Sequence, residues 1–378
     1  GNSYEGLCEY VGGKYISYTD EHPITMNPFA IKREELNIEK IGFLKNLIML
    51  IWKGTQGEVT KTEDRLVEQV ITEYFDEYFV KKRIDNLSFN TFYEYSTVRI
   101  PTIIKENNLA GIDLAAYNYL LKDFYKGGSH ELTLNENLDT KLFDETFIVF
   151  EIDSINDDPL LFPLVTLIIM DVFIQKMRIK KNRKVLVIEE AWKAIASPMM
   201  AEYIKYLYKT ARKFWASVGV VTQEIQDIVG SPIVKEAIIN NSDVVMLLDQ
   251  AKFRERFDEI KAILGLTDVD CKKIFTINRL ENKEGRSFFR EVFIRRGSVG
   301  AVFGVEEPHE CYMTYTTERA EKEALKLYKK ELQCDHQHAI EAYCRDWELS
   351  GISKSLPFAQ KVNQTGHVLH LTPHNQSE

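Results

Sequence analysis

Nowhere in this 378-residue chain do about twenty consecutive clean apolar residues occur, the length a helix needs to cross a bilayer. The most apolar stretch, Leu160 to Met177, is broken by Pro163, Asp171 and Gln175 and reads as a buried helix. The start, Gly1-Asn2-Ser3-Tyr4, lacks the basic and apolar regions of a secretory signal, and Gly1 in place of Met suggests a boundary inside a longer protein. Cysteine is sparse. Cys8, Cys271, Cys311, Cys334 and Cys344 are odd in number and irregularly spaced, which excludes a disulfide scaffold and implies a reduced, cytosolic face. Cys334, His336, His338 and Cys344 lack paired C-x-x-C spacing, so no zinc site is expected. Positive charge is in deficit, with 48 Lys and Arg against 57 Asp and Glu and a net charge of −9. That balance argues against broad, non-specific nucleic-acid binding and leaves room only for a local basic patch. The length fits two domains or one with insertions, and 44% apolar residues supply an ample core.

What is present is concentrated in Lys184-Val185-Leu186-Val187-Ile188-Glu189-Glu190-Ala191-Trp192. A parallel strand buried on both faces must be apolar throughout, and its carboxyl end opens on the crevice where α/β folds place ligands. Two acids at that end suit phosphate chemistry, in the pattern called Walker B. Glu189 would hold the water shell of Mg²⁺, and Glu190 would orient the water attacking a γ-phosphate. Some thirty residues on, Ala211 to Val221 reads as a helix end, a turn and a second buried strand, closed by the polar pair Thr222-Gln223. In RecA-like ATPases the strand after Walker B ends in a polar sensor. Gln223, able to donate and accept, takes that place here, with Thr222 beside it at the nucleotide.

The spacing predicts short strands and turns over residues 1–30 and helices from 31 to 142. One amphipathic face runs through Leu66, Val67, Val70, Ile71, Tyr74, Phe75, Tyr78 and Phe79, and a second through Ile41, Leu44, Ile48 and Ile51. This block is expected to be an all-helical insertion packing on itself. Thr146 to Ile152, the apolar helix and the strand before Glu189 form a βαβ unit, continued by strands at Val218–Val221 and Val244–Leu248. Ser287–Arg295 and Val299–Val305 alternate like an edge hairpin about Arg296-Gly297-Ser298. The expected fold is α/β, a RecA-like core of residues 1–30 and 143–310 with a mostly parallel sheet. Residues 311–378 complete it with helices and, beyond Gly351, a weakly ordered tail.

A phosphate-cradling G-x-x-x-x-G-K-[ST] loop does not occur in the chain. Its nearest imitation, Gly12-Gly13-Lys14, is followed by Tyr15 in place of the hydroxyl residue and has Cys8 where the first glycine belongs.

Asn2-Ser3-Tyr4, Gly12-Gly13, Asn27-Pro28-Phe29, Glu189-Glu190-Ala191-Trp192 and Thr222-Gln223, in this order, resemble the TraG-type conjugation ATPases of bacterial conjugative transposons. These energise type IV secretion and are more distantly similar to the FtsK/HerA DNA pumps. The resemblance spans roughly residues 1 to 310. It implies a P-loop immediately upstream of Gly1, ATP and Mg²⁺ as cofactors, and a chain that is inactive without that loop. It also implies a hexameric ring and channel proteins of the secretion apparatus as partners, on the cytoplasmic face of the inner membrane. Glu189 stands where such enzymes usually carry Asp, which lengthens the reach to the metal's water by one methylene. An arginine acting on a neighbour's site is expected from the region after the sensor strand. Arg254 is one candidate, and Arg212, on the helix feeding that strand, is another; the alternative for each is a surface arginine paired on its own helix. Transferred DNA is a possible partner, although the acidic balance supports no direct contact. The run Lys176, Arg178, Lys180, Lys181, Arg183, Lys184 is read as a solvated helix end complementing the dipole, with nucleic acid or anionic lipid as the alternative. Two other functions stay open: a DNA-pumping translocase, and a docking module of the secretion channel without turnover.

Overall fold

The computed structural model describes residues 4–137, 139–189, 198–222, 238–279 and 289–370. In chain order the principal elements are α1 (Glu5–Tyr10), β1 (Lys14–Ser17), α2 (Ile38–Lys53), α3 (Lys61–Phe75), α4 (Phe89–Glu106), α5 (Leu114–Leu121) and α6 (Glu131–Asn135). Then come β2 (Ile148–Glu151), α7 (Leu161–Ile179), β3 (Lys184–Glu189), α8 (Pro198–Ala211), β4 (Ala216–Val221) and β5 (Val244–Leu247). The remainder is α9 (Phe257–Leu264), α10 (Asp268–Ile274), β6 (Phe289–Arg296), β7 (Val299–Glu306), α11 (His309–Tyr315), α12 (Arg319–Glu331), α13 (His336–Leu349) and α14 (Ser355–Thr365). The chain divides into two compact units, one of residues 17–143 and 152–241, the other of residues 1–16, 144–151 and 242–378.

In the first unit α2, α3 and α4 each start at a residue whose side chain accepts from a first-turn amide. The Asn37 side chain accepts from the Lys40 N–H at 2.9 Å to open α2. Thr60 and Glu63 form a reciprocal capping box for α3, as Ser88 and Thr91 do for α4. The expected apolar face of α3 is buried through Phe75, and Phe29 is enclosed by Tyr74, Phe75, Phe89 and Phe92 at ring separations of 4.8 to 6.3 Å. Past Phe75 the chain widens into a π-helix, Asp76–Lys82. The longer turn shifts the helical phase, so Tyr78 and Phe79 leave the buried face and are only half-buried.

The helical block does not pack on itself alone, which corrects that expectation. Lys40 of α2 reaches Asp171 of α7 at 3.0 Å, with both side chains more than nine-tenths buried, and Gln175 donates to the same carboxylate oxygen at 2.6 Å. Asp171 is the acid that interrupts the most apolar stretch of the sequence. A charge buried there has to be paired, and the partner comes from the helical block.

In the second unit β1 pairs with β2, and β5, β6 and β7 form an antiparallel sheet in that order. The expected hairpin is present as β6 and β7, turning at Gly297 with φ +59°. In its described pairing β5 joins this hairpin, with Val244 opposite Arg296. The expected weak order beyond Gly351 is corrected through Thr365. Phe358, Ala359 and Val362 lie on one face of α14, fully buried in a cluster with Tyr328, Tyr343 and Trp347. Local composition is polar there, but three apolar side chains at helical spacing suffice to dock the segment. Within the same unit His336 Nδ1 lies 3.2 Å from Glu9, while its Nε2 has no hydrogen-bond partner among the described residues. Burial pushes the His336 pKa below its ordinary 6.5, and Lys329 adds to that against the upward pull of Glu9, Glu5 and Asp335.

Two outcomes follow. Lys40→Met leaves Asp171 buried without its cation and is expected to destabilise by about 3–5 kcal/mol, with the Lys40→Met/Asp171→Leu double variant recovering most of the loss in denaturant unfolding. For His336 the unfolded chain takes a proton near 6.5 while the folded state resists it, so the stability it contributes is present above 6.5 and lost as pH falls through the lowered folded value. His336→Gln should therefore show a smaller fall in melting temperature than the parent on acidification from above to below 6.5.

Candidate functional site

β3 and β4 run parallel in the register Lys184 with Ala216 through Glu189 with Val221. Their β-branched runs favour extended chain, and the register is anchored at the amino end by Lys184. Its backbone N–H donates to the Trp215 carbonyl at 3.1 Å, and its ammonium donates to the carbonyls of Phe214 at 2.9 Å and Met177 at 3.3 Å. Burial pushes the pKa of that ammonium down. One side chain thus ties the end of α7 and the turn before β4 to the first residue of β3. The sequence shows Lys184 both opening the strand and within a basic run, and neither reading assigns its ammonium a partner. A lysine opening an otherwise apolar strand was the available signal.

With that register, Glu189 and Val221 end adjacent strands about 4.8 Å apart, and Thr222 follows at once. Glu189 is exposed and Thr222 half-buried. The expected Glu190 and Gln223 lie outside the described residues. A carboxylate and a hydroxyl at one edge form an oxygen-only donor set. This suits a hard cation such as Mg²⁺, which keeps several waters and takes one or two protein carboxylates beside substrate phosphates. Among the described residues no group of three or more His, Cys, Asp or Glu could hold a metal by itself.

Arg212 is not brought to this edge. Arg212 opens the 3-10 turn Arg212–Phe214 that precedes β4. That turn is at the opposite end of the strand, about 17 Å from Glu189 at roughly 3.3 Å per residue, and the arginine is exposed. Arg254 belongs to the other compact unit, where its guanidinium lies 4.7 Å from the Phe275 ring centre.

The Gly12-Gly13-Lys14 turn holds no phosphate cradle. The Gly12 N–H donates to Glu9, that of Gly13 to Cys8 at 2.8 Å and that of Lys14 to Phe147 at 2.9 Å. The amides a phosphate would need are already committed. Gly13 is required for packing instead, since a Cβ there would meet the Phe147 carbonyl at 2.7 Å and Cys8 Sγ at 3.0 Å.

A parallel strand pair flanked by helices, with a carboxylate ending one strand and a hydroxyl beyond the next, fits an α/β protein of the RecA-like P-loop NTPase class. A family model described as the TraG P-loop domain matches residues 1–347, and the chain belongs to that family. Among solved structures it is similar to VirB4 of Thermoanaerobacter pseudethanolicus, with 20% identity, 82% of this chain and 81% of that chain covered, and a TM-score of 0.57. At that identity the likeness shows the fold. Weaker similarity reaches the bacterial conjugative coupling protein TrwBdeltaN70, with 12% identity, 80% and 75% covered and a TM-score of 0.48. It also reaches the plasmid coupling protein TrwB in complex with ADP and Mg²⁺, with 12% identity, 79% and 75% covered and a TM-score of 0.46. Comparison with curated proteins gives no match.

Gly13→Ala is expected to lower stability by about 1–3 kcal/mol through overpacking against Phe147 while leaving nucleotide affinity unchanged. An unchanged melting temperature with selective loss of nucleotide binding would instead make this turn a phosphate loop.

Proposed function

We propose that the chain serves an ATP-hydrolysing motor that energises conjugative DNA transfer or type IV secretion. Membership of the TraG P-loop domain family supports this reading. The single observation that carries it is the register that sets Glu189 beside Val221 and Thr222 at the carboxyl edge of parallel strands, where α/β folds bind ligands. On this reading Glu189 would hold the water shell of Mg²⁺, and Thr222 would stand beside it at the nucleotide. Mg²⁺ would supply charge neutralisation of the phosphates. Glu190 accepts a hydrogen bond from the attacking water and turns its lone pair toward the γ-phosphate, and Gln223 donates to a phosphate oxygen and reports its loss.

Arg212, exposed at the far end of β4, is too distant to serve its own Glu189. Its use therefore requires a second copy of the chain, as in a hexameric ring, and Arg254 is the other candidate for that role. The partners on this reading are the ring's own copies and the channel proteins of the secretion apparatus, at the cytoplasmic face of the inner membrane. The reading takes that attachment as peripheral; no described helix is long and apolar enough to cross a membrane.

The test is ATP turnover by the protein in its encoded length, beside Glu190→Gln. The variant should bind Mg²⁺-ATP and lose about 100-fold or more in turnover. Equal turnover in parent and variant removes Glu190 from the chemistry. Absence of nucleotide binding in both leaves a docking module in place of a motor.

A further inference from the structure

The end of the β3–β4 pair opposite Glu189 carries a basic assembly of which only Arg212, as a candidate toward a neighbouring copy, enters the motor reading. Residues 172–188 and 203–222 contain ten lysines and arginines and no acid, in a chain whose net charge is −9. The parallel register places the start of β3 beside the start of β4, so the two basic segments meet at one edge. Arg178 is engaged by Glu39 and by the Tyr206 hydroxyl. Among the described residues no carboxylate pairs with Lys181, Arg183, Lys209, Arg212 or Lys213, and all five are exposed. Both α7 and α8 end at this edge and their dipoles favour cations there, but complementing a dipole calls for no exposed apolar side chain beside the charges.

Two apolar side chains stand among these cations. Ile179, the last residue of α7, is 57% exposed, and Trp215, in the turn before β4, is 67% exposed. Trp215 adopts φ +57° and ψ +36°, the left-handed region that a bulky residue enters at a cost and glycine enters freely. Packing does not explain an indole held in that conformation and left in solvent, whereas a surface role does.

We propose that this edge is a membrane-docking surface that takes an anionic lipid bilayer, with the lysines and arginines on the headgroups and Trp215 and Ile179 inserted at the interface. Unpaired cations supply attraction to the negative leaflet within a Debye length. An indole is suited to the headgroup level, where its ring is apolar and its N–H polar. Ile179 favours a bilayer over nucleic acid, because an aliphatic side chain has no face on which a base can stack. The proposal rests on the peripheral membrane placement above and is independent of ATP hydrolysis.

The experiment is co-sedimentation of the chain with vesicles of phosphatidylcholine, with and without phosphatidylglycerol, while tryptophan emission is followed. The chain should bind the phosphatidylglycerol vesicles, release them as salt rises, and shift its emission to shorter wavelength. Lys181→Glu/Arg183→Glu/Lys213→Glu should weaken binding by about tenfold or more. Trp215→Gly, which relieves the backbone and keeps the fold, should also weaken it and abolish the emission shift. Equal binding to neutral and anionic vesicles, or variants that sediment like the parent, overturns the proposal. So does affinity for a labelled single-stranded oligonucleotide that the same variants lose while vesicles are ignored, which assigns the surface to nucleic acid. ATP turnover read on the same samples separates failure of this surface from failure of the motor reading.

Discussion

The ion pair between Lys40 and Asp171 is the constraint on which the larger part of the site-bearing unit depends. An isolated carboxylate inside α7 would be intolerable, because the interior offers no water to replace what burial removes. Lys40 and Gln175 answer it from either side, and doing so commits α2 to the surface of α7. Tyr203 of α8, fully buried, has its hydroxyl pushed well above the usual range by burial and by the same Asp171. Helices that precede both site strands therefore meet around one buried charge. Such an arrangement specifies how helices seat more than it adds net stability, since a well-packed apolar trio could be as stable.

From that seat the path to the candidate site is short. α7 ends at Ile179, and Lys184, held by the carbonyls of Met177 and Phe214, starts β3 in register with β4. Six paired residues later the chain delivers Glu189 next to Val221. The same strand pair has two chemically different ends. Its carboxyl edge offers oxygens to a cation and phosphates, and its amino edge offers cations and an indole. A peripheral motor with nucleotide at one end and lipid at the other would use both.

Much of this was legible along the chain. The apolar run ending in acids announced a strand, which forms and pairs in parallel with β4, but one of its faces, Val185 and Val187, is exposed among the described residues where burial on both faces was expected. The face of α3 was readable until the π-helix shifted its phase, a change no periodicity foretells. The docking of α14 was hidden by the polar composition around Phe358, Ala359 and Val362. Arg212 was a candidate for a neighbour's site because it ends the helix feeding β4, and the length of that strand, which sequence spacing does not convey, is what keeps it from its own Glu189.

The sequence by itself determined the helical faces of α2 and α3 and the strand that ends in acids, because side-chain period and backbone preference are local properties; it read strand and turn where α1 forms and a weakly ordered tail where α14 docks. It also determined that the Gly12-Gly13-Lys14 turn lacks the residues of a phosphate loop. Only the tertiary structure decided that Lys40 would neutralise Asp171 from 131 positions away. It alone brought the basic run at 176–184 to a second one with Trp215 at its edge, and left Arg212 at the wrong end for its own Glu189. Those outcomes depend on which buried charges find partners and on which strand ends coincide, and both follow from packing between segments distant in the chain.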